Sequence, residues 1–506
     1  MRVEVMDTTL RDGEQTSGVS FTEVEKLNIA KMLLKAVKVD RIEVASARVS
    51  NGELEAVKKI TEWAAANNLL EKIEILGFVD GQKSIDWINE AGGKVVNLLC
   101  KGSLRHVEVQ LKKSLQEHLK DIKSVIEYAH KFNMSVNIYL EDWSNGMNDS
   151  PEYVYSLLEG LKDEGIKRYM LPDTLGVLYP DKAEEYCYKI MEKFPEYKFD
   201  FHAHNDYGLA IANTLAAVKA GISGVHTTVN GLGERAGNAP LAPTVVGIHD
   251  HLGYETSVNE AKLCEISDLV ERFSGERIAS NSPIVGANVF TQVSGVHADG
   301  DKKGNLYYND LLPERFGRVR SYALGKTSGK ASIQKNLDQL GIHLDKESLK
   351  KVTERIIELG DKKENITPED LPYIVSEVIG SRIISEKVKL ANYYICYAKG
   401  LKPVANISIY INDKNYKSSS TGDGQYDAFM KALSKIYKDI GKELPELTDY
   451  VVTIPPGGQT NAFVETVISW NYHGEEFRTK ALDPDQTTAA ITATIKMLNY
   501  METYFY

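Results

Sequence analysis

The 506-residue sequence contains only four cysteines, Cys100, Cys187, Cys264 and Cys396, and they are far apart in the chain. Without a CxxC spacing, the sequence argues against a disulfide framework or a zinc ribbon, and a reducing cytoplasmic setting is expected. No apolar run approaches the ~18 residues that a membrane span requires. The first six residues alternate like a strand and do not form the apolar centre of a signal peptide.

A surplus of basic residues is also missing. Lys and Arg number 60 against 71 Asp and Glu, which gives a net charge of −11. Nucleic-acid-binding surfaces are basic, so this balance argues against nucleic acid as a partner, although a local basic pocket for an anionic ligand remains compatible with it. The length predicts two or three domains.

Short apolar runs alternate with amphipathic stretches over the first 250 residues. Strands are predicted at residues 3–7, 41–46, 73–78, 95–100, 136–141, 169–173, 199–204 and 224–231. Helices are predicted between them, for example at 22–37, 52–66, 150–164 and 209–220, with Thr22 and Glu25 forming a capping box. Eight strand–helix units of this size are typical of a (β/α)8, or TIM, barrel. An open doubly wound sheet is the alternative, but no GxGxxG follows the first strand.

The pattern changes twice after the barrel. Residues 256–390 are mostly helical in character, with loops at 280–286 and 300–308. From residue 391, strands at 405–411, 449–454 and 462–470 and helices at 425–438 and 487–502 predict an α+β module. We therefore expect an α/β protein with a barrel at 1–255, a mostly helical accessory region at 256–390 and a C-terminal α+β domain at 391–506.

Polar residues collect where the predicted strands end, which is the face on which barrel enzymes carry their active sites. His202 and His204 are two residues apart on a strand, so both point to the same side. Two such imidazoles and a carboxylate form an open site for a divalent metal, with Asp12 as the candidate carboxylate and Asn238 as a further ligand. The alternative is a pair of histidines hydrogen-bonded inside the barrel core.

Arg11 and Glu141 also lie at strand ends. We interpret Arg11 as a residue that holds a carboxylate or stabilises a developing oxyanion. The alternative is that Arg11 forms an ordinary surface ion pair with Asp12. Glu141 ends an apolar strand, where an unpartnered carboxylate is costly. It is interpreted either as a general acid–base group or as an ion-pair partner of Arg11.

His297 lies outside the barrel, in residues 294–300 (SGVHADG). Histidine is the commonest general base near neutral pH, and Asp299 and Tyr307 are near enough in sequence to orient it. The alternative is an ordinary loop histidine. Cys100 ends a strand without a histidine signature around it and is interpreted as a packing residue.

Several of these segments resemble the signatures of the 2-isopropylmalate, homocitrate and citramalate synthase family, namely residues 7–15 (DTTLRDGEQ), 202–206 (HAHND) and 231–238 (GLGERAGN). Residues 294–300 resemble that family's accessory-domain histidine loop, and residues 422–427 and 449–458 resemble its C-terminal regulatory domain. The resemblance covers essentially the whole chain, with the motifs in the same order. It implies a homodimer that condenses acetyl-CoA with a small 2-oxo acid at a divalent metal, Zn²⁺, Mn²⁺ or Mg²⁺.

The resemblance also implies a role for each candidate residue. A metal would chelate the keto and carboxylate oxygens of the 2-oxo acid, and a histidine from the partner subunit would help to remove the methyl proton of acetyl-CoA. Hydrolysis of the CoA thioester would make the reaction irreversible. The implied set is Asp12, His202, His204 and Asn238 for the metal, Arg11 and Thr174 for the substrate, and Glu141, His297, Asp299 and Tyr307 for proton transfer.

Substrate choice in this family depends on the ends of the third, fourth and fifth strands, where this sequence has Leu76, Leu99 and Tyr139. Isopropylmalate synthases commonly have a small residue at the tyrosine position, which leaves room for a branched side chain. One methylene is worth about 1–3 kcal/mol of discrimination, so a tyrosine there favours a substrate with little more than a methyl group. None of the three offers the polar partner that homocitrate synthases need. We therefore expect pyruvate as substrate and (R)-citramalate as product, with 2-oxoisovalerate and 2-isopropylmalate as the alternative.

The C-terminal domain is implied by the resemblance to bind a pathway end product at a dimer interface. That effector is isoleucine for a citramalate synthase and leucine for an isopropylmalate synthase, and ordinary turn or interface packing is the alternative. A lyase or carboxyl-transfer barrel and a catalytically silent sensor are the rival classes; the C-terminal module opposes the first and the intact candidate residues oppose the second. The candidate effector residues are Tyr426, Asp427, Tyr450, Thr460 and Gln486.

Overall fold

A computed structural model of the chain describes residues 1–292, 309–326, 328–340, 342–361, 366, 370–379, 387–453 and 464–506. These residues fall into two compact units, the first of which comprises Met1–Phe290 and Asn309–Arg320 and the second the remainder. None of the helices in these ranges is long and apolar enough to cross a membrane. The domain boundaries at residues 255 and 390 stay predictions.

The first unit is a closed barrel of eight parallel strands, each paired with the next in the chain and the last paired with the first. This confirms the predicted fold class. Most strand residues are buried, as expected for a sheet with helices outside and side chains filling the inside. The strands are β1 (Glu4–Asp7), β2 (Arg41–Ser46), β3 (Ile73–Phe78), β4 (Val95–Lys101), β5 (Ser135–Glu141), β6 (Tyr169–Asp173), β7 (Phe199–Ala203) and β8 (Gly224–Thr227).

Ten helices surround or follow the barrel strands, and their apolar faces form one continuous core with the outer side of the sheet. The predicted capping box is present, with the Thr22 hydroxyl accepting from the Glu25 N–H. The helices are α1 (Glu23–Lys31), α2 (Asn51–Ala66), α3 (Lys83–Glu90), α4 (Leu115–His130), α5 (Trp143–Asp149), α6 (Pro151–Gly160), α7 (Pro180–Lys193), α8 (Ala210–Lys219), α9 (Leu241–Leu252) and α10 (Leu263–Ser274).

Several predicted elements end earlier in the structure. The helix predicted at 22–37 is α-helical only to Lys31, then widens into a π-helical turn, Met32–Val37. Strand β8 ends at Thr227, since Asn230 has a φ of 59° and the chain has already entered the turn that follows. Strand β7 ends one residue before His204, which forms an isolated antiparallel bridge with Asn238. That bridge joins two of the three segments that carry the candidate metal ligands, the third being the turn with Asp12.

A network of charged side chains lies inside the barrel. Arg41 on β2 contacts Glu74 on β3 at 2.7 Å and Asp200 on β7 at 2.6 Å, and Arg168 contacts the other Asp200 oxygen at 2.8 Å. Gly224 lies beside this network, where a Cβ would stand only 1.9 Å from Asp200 Oδ1. Glycine at this position leaves room for the network of Arg41, Glu74, Arg168 and Asp200, which we call the charged floor of the barrel.

The second unit contains two three-stranded antiparallel sheets, each followed by one helix in sequence. Apolar residues of the sheets and helices, among them Phe429, Trp470 and Met497, form its core. Its helices are α11 (Lys330–Gln339), α12 (Lys346–Asp361), α13 (Leu371–Ile379), α14 (Gln425–Asp439) and α15 (Gln486–Tyr504). Its strands are the two-residue β9 (Thr291–Gln292) and β10 (Ser321–Tyr322), then β11 (Val388–Cys396), β12 (Val404–Ile411), β13 (Lys414–Thr421), β14 (Glu446–Thr453), β15 (Val464–Tyr472) and β16 (Glu475–Asp483).

Candidate active site

A cavity of about 270 Å³ opens at the carboxyl ends of the barrel strands. Its wall brings together residues from eight separate segments of the chain, and every described catalytic, substrate or metal candidate except Asn238 is among them. The lining residues are Arg11, Asp12, Gln15, Ser46, Leu76, Phe78, Leu99, Tyr139, Glu141, Pro172, Thr174, His202, His204 and Glu234.

A larger groove of about 730 Å³ lies on the same face, between Ser103 and Ser150, and its wall includes His106, Asp142 and Leu175. Within the described ranges, the one group of three or more His, Cys, Asp or Glu side chains close enough to share a metal lies in the smaller cavity. Convergent polar groups identify a reactive site better than volume does, so we take the smaller cavity as the candidate active site.

Asp12, His202 and His204 form the centre of this cavity. The His202 Nε2 atom lies 3.2 Å from Asp12 Oδ2 and 3.3 Å from His204 Nε2. One potential ligand atom from each of the three lies within 4.8 Å of the others, and all three side chains are buried. The turn after β1 places Asp12, since its backbone N–H donates to the Thr8 carbonyl at 2.8 Å.

Burial and charge keep this triad ready to accept a cation. Burial alone would raise the pKa of the Asp12 carboxyl, but Arg11 and His202 outweigh it and hold that pKa well below its usual range. Burial lowers the pKa of His202, and burial together with the neighbouring His202 lowers the pKa of His204 to about 4. At neutral pH the site therefore presents a carboxylate and two neutral imidazoles, which is the protonation state that metal binding requires.

Two buried oxygens test whether the site fits a metal. Asp12 Oδ1 has no hydrogen-bond partner among the described residues. Asn238 Nδ2 donates to the Leu232 carbonyl at 3.0 Å, which leaves Asn238 Oδ1 buried and equally unsatisfied within the same ranges. Buried oxygens without partners are costly unless a ligand completes them. The donor set of two imidazoles, a carboxylate and an amide oxygen suits a divalent cation.

Arg11 is held by two carboxylates. Its Nε atom donates to Glu43 Oε2 at 2.6 Å, and its NH1 atom lies 3.0 Å from Asp12 Oδ2. Glu43 is fully buried on β2 and also accepts from the Thr8 hydroxyl and the Asn97 amide, both at 2.8 Å. Sequence reasoning missed Glu43, although a carboxylate inside the strand Arg41–Ser46 was a signal that it has a buried partner.

Glu141 does not pair with Arg11, so that alternative is wrong. Its carboxylate forms an ion pair with Lys101 at the end of β4 and stays partly exposed at the cavity. Thr174 lies opposite, and its hydroxyl oxygen accepts from the Asp142 N–H at 2.9 Å. Because that bond uses an oxygen lone pair, the Thr174 hydroxyl hydrogen is available to a ligand in the cavity.

The predicted specificity residues form the apolar side of the cavity. Leu76 and Tyr139 belong to a small buried cluster inside the barrel with Met6 and Met170, and Leu99 packs against it. The Tyr139 ring lies 5.6 Å from the His202 ring and 5.6 Å from the Arg11 guanidinium. Tyr139 thus stands directly between the metal candidates and the apolar wall.

Some candidates lie elsewhere. His297, Asp299, Tyr307 and Thr460 fall outside the described residues. In the second unit, the Tyr426 and Tyr450 rings are 5.4 Å apart, and Gln486 lies near Tyr450. Asp427 instead contacts Lys431 at 2.7 Å on its own helix. Three of the five candidate effector residues are therefore brought together.

Comparison with known proteins agrees with the barrel and its motifs. Residues 2–270 match the HMGL-like family model, residues 284–364 a model described as homocitrate synthase post-HMGL domain-like, and residues 365–502 the LeuA allosteric (dimerisation) domain. An (R)-citramalate synthase of Methanocaldococcus jannaschii is 34% identical over 504 residues, which span 99% of this chain and all of the relative. A 2-isopropylmalate synthase of the same organism is 35% identical, over 98% of this chain and 94% of the relative.

The fold and the cavity define a (β/α)8 barrel with a buried carboxylate–histidine triad at the carboxyl ends of its strands. The chain belongs to the HMGL-like family, in the branch of synthases that carry a LeuA-type C-terminal domain. The two relatives from one organism are almost equally similar to it, so overall identity does not decide between their activities. That decision depends on the residues of the cavity.

Proposed function

We propose that the protein is a metal-dependent acyltransferase that condenses acetyl-CoA with pyruvate to give (R)-citramalate and CoA. The observation that carries this proposal is the buried Tyr139, which fills the apolar side of a cavity of about 270 Å³ beside the triad. A 2-oxo acid whose keto group lies beside His202 and His204 is expected to direct its side chain toward Tyr139, and we expect this ring to exclude groups much larger than methyl. The reaction serves as the first step of a pyruvate route to isoleucine.

Different residues of the cavity bind and activate the 2-oxo acid. Asp12, His202 and His204, with Asn238 as a further ligand, hold a divalent metal, which when bound supplies Lewis-acid polarisation of the keto group. The Thr174 hydroxyl donates to the substrate carboxylate. Arg11 cannot lose its proton at any working pH and stabilises the negative charge that grows on the keto oxygen.

Proton transfer completes the reaction. The acetyl methyl group loses a proton to a base, and its carbon forms the new bond to the keto carbon while the keto oxygen gains a proton. His297, oriented by Asp299 and Tyr307 and contributed by the partner subunit of a homodimer, is proposed as that base. Glu141 assists as acid–base partner, since its partly exposed carboxylate reaches the cavity. Water then hydrolyses the thioester and releases CoA.

Replacing Tyr139 by alanine is expected to shift the preference from pyruvate to 2-oxoisovalerate. The space vacated by the ring accommodates an isopropyl group, and each methylene is worth about 1–3 kcal/mol, so kcat/KM for 2-oxoisovalerate relative to pyruvate is expected to rise about 100-fold. Steady-state CoA release with both acids measures the ratio. The matched control is Tyr155→Ala, which truncates a tyrosine on α6 outside the cavity. An unchanged ratio for Tyr139→Ala would show that this ring does not limit substrate size.

The alternative activity is that of a 2-isopropylmalate synthase acting on 2-oxoisovalerate. Its support is the 35% identity to the Methanocaldococcus jannaschii enzyme of that name. Tyr139 opposes it, because we expect its buried ring to occupy the space that a branched side chain needs.

Feedback control is proposed for the second unit, with isoleucine as effector. Tyr426, Tyr450 and Gln486 lie together there and offer hydroxyl and amide groups beside apolar rings. We expect isoleucine to lower the rate of CoA release at least about fivefold, the lower end of ordinary allosteric coupling, and leucine to leave it unchanged. The measurement is the initial rate at subsaturating pyruvate with each amino acid. Inhibition by leucine alone would instead support the isopropylmalate alternative.

A further inference from the structure

His226 occupies a position in the barrel that the reaction described above does not use. It lies on β8, fully buried, between the charged floor of the barrel and the cavity. Its Nε2 atom is 3.2 Å from Asp200 Oδ2, and its Nδ1 atom is 3.5 Å from the Tyr139 hydroxyl oxygen. One imidazole therefore connects the floor of the barrel with the wall of the substrate pocket.

The partners of Asp200 determine the direction of these hydrogen bonds. Arg41 and Arg168 contact its two oxygens at 2.6 Å and 2.8 Å, so Asp200 is a carboxylate and only accepts. The Nε2 atom of His226 consequently carries the hydrogen and donates it to Asp200. The Nδ1 atom of the same neutral ring then has a free lone pair and accepts from the Tyr139 hydroxyl.

This arrangement fixes the direction of the Tyr139 hydroxyl group. Its hydrogen points to His226, inside the barrel, while the Arg11 guanidinium lies 5.6 Å from the centre of the ring. The ring also packs with Met6, Leu76 and Met170, which provide apolar surface but no direction, and its centre lies 5.6 Å from that of the His202 ring. Without the acceptor on His226, a buried hydroxyl would lack a partner and the ring would move to find one.

We propose that His226 is a positioning residue that sets the substrate range by holding Tyr139 across the pocket. The inference rests on the proposed function, since it explains how the tyrosine excludes larger 2-oxo acids. Asp200 holds the His226 imidazole, and the imidazole holds the Tyr139 hydroxyl group. The tyrosine ring then limits the size of the side chain that the 2-oxo acid can carry. His226 is not among the residues that line the cavity.

The test compares His226→Leu with His226→Asn in the full-length, metal-loaded enzyme, using pyruvate and 2-oxobutyrate. Leucine removes the acceptor, whereas the asparagine amide oxygen stands near the place of Nδ1. For His226→Leu we expect the kcat/KM ratio of pyruvate to 2-oxobutyrate to fall about tenfold, chiefly through a higher KM for pyruvate, with kcat changed less than about threefold. His226→Asn is expected to retain the ratio within about threefold.

Tyr139→Phe removes the same hydrogen bond from the other side and tests the proposal even where His226→Leu does not fold. It is expected to lower the pyruvate to 2-oxobutyrate ratio similarly, and adding His226→Leu to it is expected to change the ratio no further. Three results would overturn the proposal. The effects of the two substitutions on the ratio could add in the double variant, Tyr139→Phe could leave the ratio unchanged, or His226→Asn and His226→Leu could lower it equally.

The same assays separate this inference from the proposed function. A wild-type enzyme that prefers 2-oxoisovalerate to pyruvate contradicts the proposed function alone. The coupling between His226 and Tyr139 is then measured with the same single and double variants. The ratio compared is kcat/KM for the preferred acid relative to that for its next larger homologue. A wild-type enzyme that uses pyruvate but shows no such coupling contradicts the inference alone.

Discussion

Replacing His202 by alanine is expected to abolish metal binding and CoA release together. His202 contacts both other members of the triad, at 3.2 Å to Asp12 and 3.3 Å to His204, so its loss removes the central donor. A bound metal supplies several kcal/mol of charge stabilisation, and each 1.36 kcal/mol is a factor of ten in rate. We expect kcat with pyruvate to fall at least about 10³-fold. Calorimetric titration with Mn²⁺ and CoA release measure the two effects on one preparation.

The matched control is His251→Ala, which removes an exposed histidine from the end of α9. It is expected to bind Mn²⁺ and turn over as the wild type does. If His202→Ala kept its turnover in the presence of a chelator, the metal mechanism would be wrong. Retained metal affinity with lost turnover would mean that His202 serves the reaction without holding the metal.

Arg11→Lys is expected to lower kcat about 100-fold while the apparent affinity for Mn²⁺ changes less than about threefold. Loss of a single donor to a developing oxyanion typically costs a factor of about 10²–10³. Lysine keeps a positive charge near Asp12 and Glu43 but cannot reproduce the planar fork that contacts both carboxylates and still faces the substrate. Initial rates and metal titration of the variant measure the two quantities.

Arg48→Lys is the control for this substitution, because Arg48 pairs with Asp80 and is about half exposed. Its kcat is expected to equal that of the wild type. A kcat within threefold of wild type for Arg11→Lys would show that the guanidinium does not stabilise charge in the transition state. A large loss of Mn²⁺ affinity would show instead that Arg11 acts by holding Asp12.

The barrel was predictable because its signals are local. Strands β2, β3 and β6 have the bounds that the sequence indicates, since each is a short, mostly buried run that contains several apolar residues. The C-terminal unit was predicted less completely. Strands β11, β13 and β16 were missed, because one face of each is exposed and their polar residues resemble those of loops.

The candidate site was also predictable only in part from the sequence. Asp12, His202 and His204 were predictable from position, since motifs at strand ends meet at one face of a barrel. Glu43 and His226 were not, because their importance comes from partners on distant strands, Arg11 for one and Asp200 with Tyr139 for the other. No local pattern in the sequence indicates such a pairing.

The most direct test of the central claim is CoA release by the wild-type enzyme with acetyl-CoA, Mn²⁺ and a series of 2-oxo acids. A thiol reagent follows CoA, and chiral chromatography identifies the product. We expect the highest kcat/KM with pyruvate, lower values as the side chain grows, and (R)-citramalate as the product. A higher kcat/KM with 2-oxoisovalerate, or no CoA release with any acid and metal, would contradict it.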